Sequence, residues 1–247
     1  MKKAMINSEI NTYINDSSFD PDLRQRILEW SKEIPFVNFL NNYKDKILKK
    51  LRTAQETEDK YDVGVELYVA FIFATSNCDV VYEPNLPIQK KPDYKISFDN
   101  LYFFCEVKRL RYWIDEILDE EMYKKCGDII CEKAIQSVPN EINIIYIRSR
   151  DNLAPDYDDF EGGFENLFNL IEEKPEEFLE KIKKYKMKSI EEFKRYWAQV
   201  SAVIIPMVKY GKFIPKIWNN PNATKPLPDI LKLKINEAIQ KPFRYDE

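Results

Sequence analysis

The eight-residue run Leu101-Tyr-Phe-Phe-Cys-Glu-Val-Lys108 constrains this chain more than any other segment. Aromatic and β-branched residues dominate it, so it reads as a buried strand. Side chains alternate along a strand, which puts Leu101, Phe103, Cys105 and Val107 on one face and Tyr102, Phe104, Glu106 and Lys108 on the other. The first face is wholly apolar, while the second turns from aromatic to charged at its C-terminal end. A carboxylate and an ammonium at the end of a buried strand need partners, because unpaired buried charge is costly. Pro92-Asp93 comes earlier, with twelve residues between Asp93 and Glu106, and opens another short apolar segment.

A divalent metal ion supplies a chemical reason for this arrangement. Hard cations such as Mg²⁺ take one or two carboxylates and fill their other positions with water and phosphate. Bound metal eases deprotonation of water and neutralises charge on a scissile phosphate, and a nearby lysine orients or deprotonates the nucleophile. Asp93 and Glu106 are the expected ligands, and Lys108 the residue facing the attacking water. The plainer alternative is a hairpin with a surface ion pair at its end.

Pro92-Asp93 followed by Glu106-Val107-Lys108 resembles the PD-(D/E)xK superfamily of restriction-endonuclease-like nucleases. Acidic-x-Lys also occurs at Glu58-Lys60, Asp93-Lys95, Glu172-Lys174 and Glu192-Lys194. The preceding apolar strand and the Pro-Asp set Glu106-Lys108 apart. The resemblance covers about residues 61–150. It implies an α/β fold with a restriction-endonuclease-like core, and it implies a Mg²⁺- or Mn²⁺-dependent endonuclease acting on nucleic acid, DNA before RNA. Such nucleases often act as dimers, so a homodimer is also implied.

Two flanking segments bear on the same site. Upstream, Val63–Ala74 is a strongly apolar helix with Val63, Leu67, Ala70, Phe71 and Ala74 at helical spacing. Glu66 lies at the border of that stripe. It reads either as an edge residue reaching solvent or, as the resemblance implies, as an auxiliary metal ligand. Downstream, Lys125–Gln136 reads as a helix, on which Ile129, Lys133 and Gln136 are neighbours. The resemblance implies that Lys133 and Gln136 approach the substrate phosphate; the other reading is a solvated helix face.

Composition narrows the chemistry. The chain contains no histidine, which removes histidine general-base catalysis, HNH-type nucleases and imidazole zinc sites. Its four cysteines lack the spacing of a metal cluster or disulfide framework. No segment is apolar over a bilayer-spanning length and the N-terminus lacks a signal-peptide core, so a soluble, cytoplasmic protein with no membrane partner is expected.

A net charge of −4 argues mildly against a general nucleic-acid binder. Yet Lys90, Lys91, Lys95, Lys108, Arg109 and Arg111 bracket the candidate site, and Lys44, Lys46, Lys49, Lys50 and Arg52 form a second basic cluster. Such runs are usually solvated faces.

The expected organisation is a helical extension over 1–60, a nuclease-like core over 61–150 and a helical and strand extension over 151–247 packed on that core. Within these, helices are expected from Asp20-Pro21 and over about 36–55. Strands are expected near 80–82, from Asp93, over 101–108, over 142–147 and over 200–208. Asp151–Gly163 reads as a polar loop, helices follow near 164–184 and 189–197, and Trp218–Pro228 is turn-rich. That order gives a mixed central β-sheet flanked by helices, with extra N- and C-terminal helices. Two rival functions follow from the same residues: a catalytically inactive nuclease-fold module that binds nucleic acid, and a protein-interaction scaffold in which Glu106 and Lys108 pair with each other.

Overall fold

Strand β3 (Leu101–Leu110) is the axis around which the rest is arranged. The computed structural model describes residues 5–15, 19–111, 119–149, 157–209 and 212–240. Phe103, Cys105 and Val107 of β3 face one hydrophobic cluster, and Leu110 belongs to a second. The alternation read from the sequence therefore divides two cores. Leu101 departs from it and is exposed, because it follows directly on the Asp99-Asn100 turn, where Asp99 takes a φ of +52°. Aspartate tolerates that left-handed region better than most residues.

Six strands form one mixed sheet in chain order. β2 (Tyr94–Phe98) runs antiparallel to both of its neighbours, β1 (Asp79–Tyr82) and β3. β4 (Asn143–Ser149) and β5 (Ala202–Lys209) join in parallel, and β6 (Lys212–Asn219) returns antiparallel to β5. The parallel pairings need crossovers, supplied by helices. α6 (Asp119–Ala134) links β3 to β4, while α7 (Tyr157–Glu173), α8 (Pro175–Lys183) and α9 (Ile190–Trp197) link β4 to β5.

The first core holds α5 (Thr57–Thr75), buried along most of its length, against Val80, Tyr82, Tyr94, Ile96, Ile144 and Tyr146. The N-terminal helices α1 (Ser8–Ile14), α2 (Pro21–Trp30), α3 (Ile34–Asn42) and α4 (Lys44–Thr53) complete it together with α10 (Asp229–Gln240). Asp20 caps α2 by accepting from the Leu23 amide at 2.9 Å, as its Pro21 start leads one to expect. Gly64 lets α2 approach α5 closely, since a Cβ there would stand 2.6 Å from Leu23 Cδ1. The second core lies on the other side, where α6–α9 cover Ile145, Ile147, Val203 and Ile205.

Several expectations are corrected. The segment 36–55 is two helices that meet at Tyr43, not one. The loop expected over 151–163 is helical from Tyr157, because Phe164, Leu167 and Ile171 form a buried stripe that outweighs Gly162 and Gly163; residues 151–156 lie outside the described residues. The helix expected over 164–184 is interrupted at Lys174, ahead of Pro175. Trp218 is not in a turn but in β6, where its ring stacks on Phe164 at 4.5 Å. No helix among the described residues is long and apolar enough to cross a membrane.

Candidate active site

Asp93 ends the connection from β1 and immediately precedes β2, so its side chain is set at the mouth of the sheet. The Val107 amide donates to Asp93 Oδ2 at 2.8 Å, which locks the carboxylate against β3. Glu106 lies on β3 with 5% of its surface exposed. Its Oε2 accepts from Lys133 at 2.9 Å, and the same ammonium stands 3.7 Å from Asp93 Oδ2. Oε1 of Glu106 is buried with no hydrogen-bond partner. Asp93, Glu106 and Lys133 are therefore brought together from a loop end, a strand and a helix.

Glu66 projects from α5 into the same region, tied to it by a second ammonium. Lys50 of α4 donates to Glu66 Oε2 at 2.6 Å and stands 3.8 Å from Asp93 Oδ1 and 3.5 Å from Glu83 Oε1. The Tyr82 hydroxyl donates to the same Glu66 oxygen at 2.8 Å, and Tyr94 donates to the Glu66 carbonyl at 2.9 Å. Glu66 is thus not a solvent-reaching edge residue: its side chain is 15% exposed and held by Lys50 and Tyr82.

Electrostatics follow from this crowding. Burial, then repulsion from Asp93, pushes the Glu106 carboxyl up to about 8. The same two causes raise Glu66, although Lys50 opposes them. Burial works against the Lys133 ammonium, yet Asp93 and Glu106 outweigh it and hold its pKa above the ordinary lysine value. Lys50 behaves likewise: burial opposes its charge, and Glu66 and Asp93 overcome that.

Lys108 is placed otherwise than its spacing suggests. It shares the β3 face of Glu106, but its ammonium donates to both oxygens of Glu132, at 2.8 and 2.9 Å, and not to either acid. Gln136 lies just past the end of α6, its amide donating to the Lys133 carbonyl at 3.0 Å. Its side chain makes no hydrogen bond to the acids among the described residues. The expected basic bracket is also reduced. Arg109 is buried and turned to Asp62 at 2.7 Å and to Glu58, while Arg111 pairs with Asp59 at 2.8 Å and with Asp62. Both are spent on anchoring α5 and face away from the acids, because they follow the strand's alternate positions and terminus.

Sequence reasoning placed Lys50 only in a basic cluster. Within that cluster Lys44 and Arg52 pair with Glu9, and Lys46 donates to the carbonyls of Tyr82 and Glu83. The signal that could have separated Lys46 and Lys50 is their four-residue spacing beside the buried stripe Ile47, Leu48 and Leu51. Tyr82 and Glu83 carried no comparable signal.

Among the described residues no group of three or more acids, cysteines or histidines is arranged to hold a metal ion. Asp93 and Glu106 form a pair, and a Mg²⁺ ion bound through one or two carboxylates requires no more. A buried acid with an unpartnered oxygen and a partly buried one that repels it suit a hard cation in charge and in donor type. Compared with protein-family models, with curated proteins and with solved structures, the chain gives no match in any of the three.

Proposed function

We propose that the chain is a Mg²⁺- or Mn²⁺-dependent phosphodiesterase, an endonuclease of the restriction-endonuclease-like type that acts on nucleic acid, DNA before RNA. The observation that carries this reading is the meeting of Asp93 and Glu106 around one ammonium, with Glu106 Oε1 left buried and unpartnered. The order α5, three antiparallel strands, α6 and a parallel β4 supports it, since the resemblance implies a helix on each side of the strands that carry the acids.

Asp93 and Glu106 would hold the cation, which when bound supplies charge neutralisation and a more acidic water. Lys108, half-exposed on the same strand face, orients or deprotonates the water. Lys133 is the ammonium closest to both acids and reaches a phosphate bound against them, with Gln136 farther out. Glu66 fixes Lys50 beside Asp93. Asp93→Ala and Lys108→Ala are each expected to abolish metal-dependent nicking of plasmid DNA while circular dichroism stays that of the wild type. Undiminished cleavage by both variants would sink the assignment.

A second reading draws on one specific observation: Lys50 and Lys133 already neutralise the acids. In that reading the chain is an inactive module of the same fold that binds nucleic acid and takes up no metal. Titration of Mn²⁺ into the purified protein separates the two.

A further inference from the structure

Two ammonium groups flank Asp93, one on each carboxylate oxygen: Lys50 is 3.8 Å from Oδ1 and Lys133 is 3.7 Å from Oδ2. They are not equivalent. Lys133 is shared by Asp93 and Glu106, and Glu106 retains a buried, unpartnered oxygen, so bonding capacity is left on that side. Lys50 converges on three acids from three places in the chain, namely Glu66 on α5, Glu83 after β1 and Asp93 before β2. Oε2 of Glu66 is already doubly satisfied, by Lys50 and by the Tyr82 hydroxyl.

Lys50 is also built in. Ile47, Leu48 and Leu51 hold α4 in the core at 1% exposure each. Lys46, one turn earlier, is pinned to the carbonyls of Tyr82 and Glu83 at 3.0 and 2.7 Å. The Tyr82 ring lies 5.2 Å from the Lys50 ammonium. The Glu83 amide donates to the Asp93 carbonyl at 2.8 Å, which closes the β1–β2 connection and brings both acids to Lys50.

We propose that Lys50 is a resident cation: its ammonium fills the second of two cation positions beside Asp93, so the protein takes up one divalent ion where its acids would otherwise draw two. The proposal rests on the metal-dependent reading above and specifies how that site is loaded. It gives the N-terminal helices a part in the site, through α4. A single fixed charge facing three carboxylates neutralises them incompletely, which is why removing it opens a place that a divalent ion fills more fully.

The test is Mn²⁺ binding to the full-length protein, by calorimetry and by the electron paramagnetic resonance signal of free Mn²⁺. One ion is expected for the wild type. Lys50→Met is expected to bind a second ion, or to bind Mn²⁺ about tenfold more tightly. Lys50→Arg should behave as the wild type, and Lys50→Met combined with Glu66→Gln should return to one ion. Lys50→Gln, which keeps a polar head at that place, serves equally where Lys50→Met fails to fold. If the wild type binds one ion and Lys50→Met and Lys50→Gln bind it with unchanged number and affinity, the proposal is overturned and the metal-dependent reading stands. If the wild type binds none and Lys50→Met binds one, the proposal of two cation positions is overturned and the Asp93–Glu106 site is lost with it. If no variant binds Mn²⁺, both fall.

Discussion

At Glu106 burial and function pull in opposite directions. The carboxyl is ordinarily half-titrated at 4.5, and in the folded chain burial and Asp93 move it to about 8. Between those values the folded protein holds a proton that the unfolded chain has released. Stability therefore falls as pH rises through that window and levels off above it. Glu106→Gln removes this titration, so its melting temperature should gain on the wild type with rising pH, by on the order of 10 °C at the top of the window. Melts at a series of pH values check this, and parallel curves for the two proteins would refute it. Metal binding needs the carboxylate form, so below about pH 8 uptake of Mn²⁺ should release a proton. Calorimetry in two buffers of different ionisation enthalpy measures that release directly.

The two lysines of the site separate by the same reasoning. Lys133→Ala leaves Asp93 and Glu106 buried without their shared ammonium and should cost about 3 kcal/mol in denaturant unfolding. Lys108→Ala breaks a part-exposed pair with Glu132 and should cost under about 1 kcal/mol. Equal losses would contradict this assignment of partners. That Asp93 and Glu106 come together was legible in the sequence, because a strand end is a local pattern; that Lys108 turns to Glu132 instead of to them was not. Which lysine meets the acids was not, since the phase of α6 decides between Glu132 and Lys133 only once the helix is docked. Lys50 was hidden for a related reason: it reaches Glu66 and Asp93 through the docking of α4 against α5, which no local run encodes.

Among the elements, α5 shows most clearly how a site residue is held. Its C-terminal two thirds are buried among aromatic side chains, but its first turns are fixed by charge, through Asp62 and Glu58 on Arg109. The Arg109 side chain is 1% exposed. Arg109→Ala should therefore cost about 3 kcal/mol, because two acids lose a buried partner, whereas Arg111→Ala at the rim should cost under about 1 kcal/mol. Urea unfolding of both variants tests the difference. The strand β6 was missed in the sequence because Lys212, Lys216 and Asn219 dilute its apolar residues and Pro215 argues against a central strand. Its place at the sheet edge resolves this. Pro215 lies opposite Pro206 in register, so both missing donors fall at one pair, as suits a pair that exchanges no hydrogen bonds. Pro206 in turn lies beyond Ile204, the last β5 residue paired with β4.

For the molecule as a whole, the expected boundary between a helical extension over 1–60 and a core from 61 falls inside α5, and one hydrophobic cluster runs across it. Ile10, Leu23, Ile27, Phe36, Leu40, Ile47 and Leu51 share one continuous hydrophobic cluster with α5 and with strands β1–β5. Each is at most 2% exposed. Trp30 stacks on Phe71 at a centroid distance of 5.4 Å, so the aromatic face of α5 is completed from outside the core segment. Deleting residues 1–55 would expose that face and strip Lys50 from Glu66 and Asp93. Buried apolar surface lost on this scale exceeds the few kcal/mol by which a domain is stable. The deletion is expected to give insoluble or molten protein, read as loss of near-ultraviolet circular dichroism and a broad thermal transition, while the intact chain unfolds in one cooperative step. A deletion variant that melts sharply and binds Mn²⁺ like the intact chain would show that the N-terminal helices are a separable appendage, and Lys50 would then have no part in loading the site.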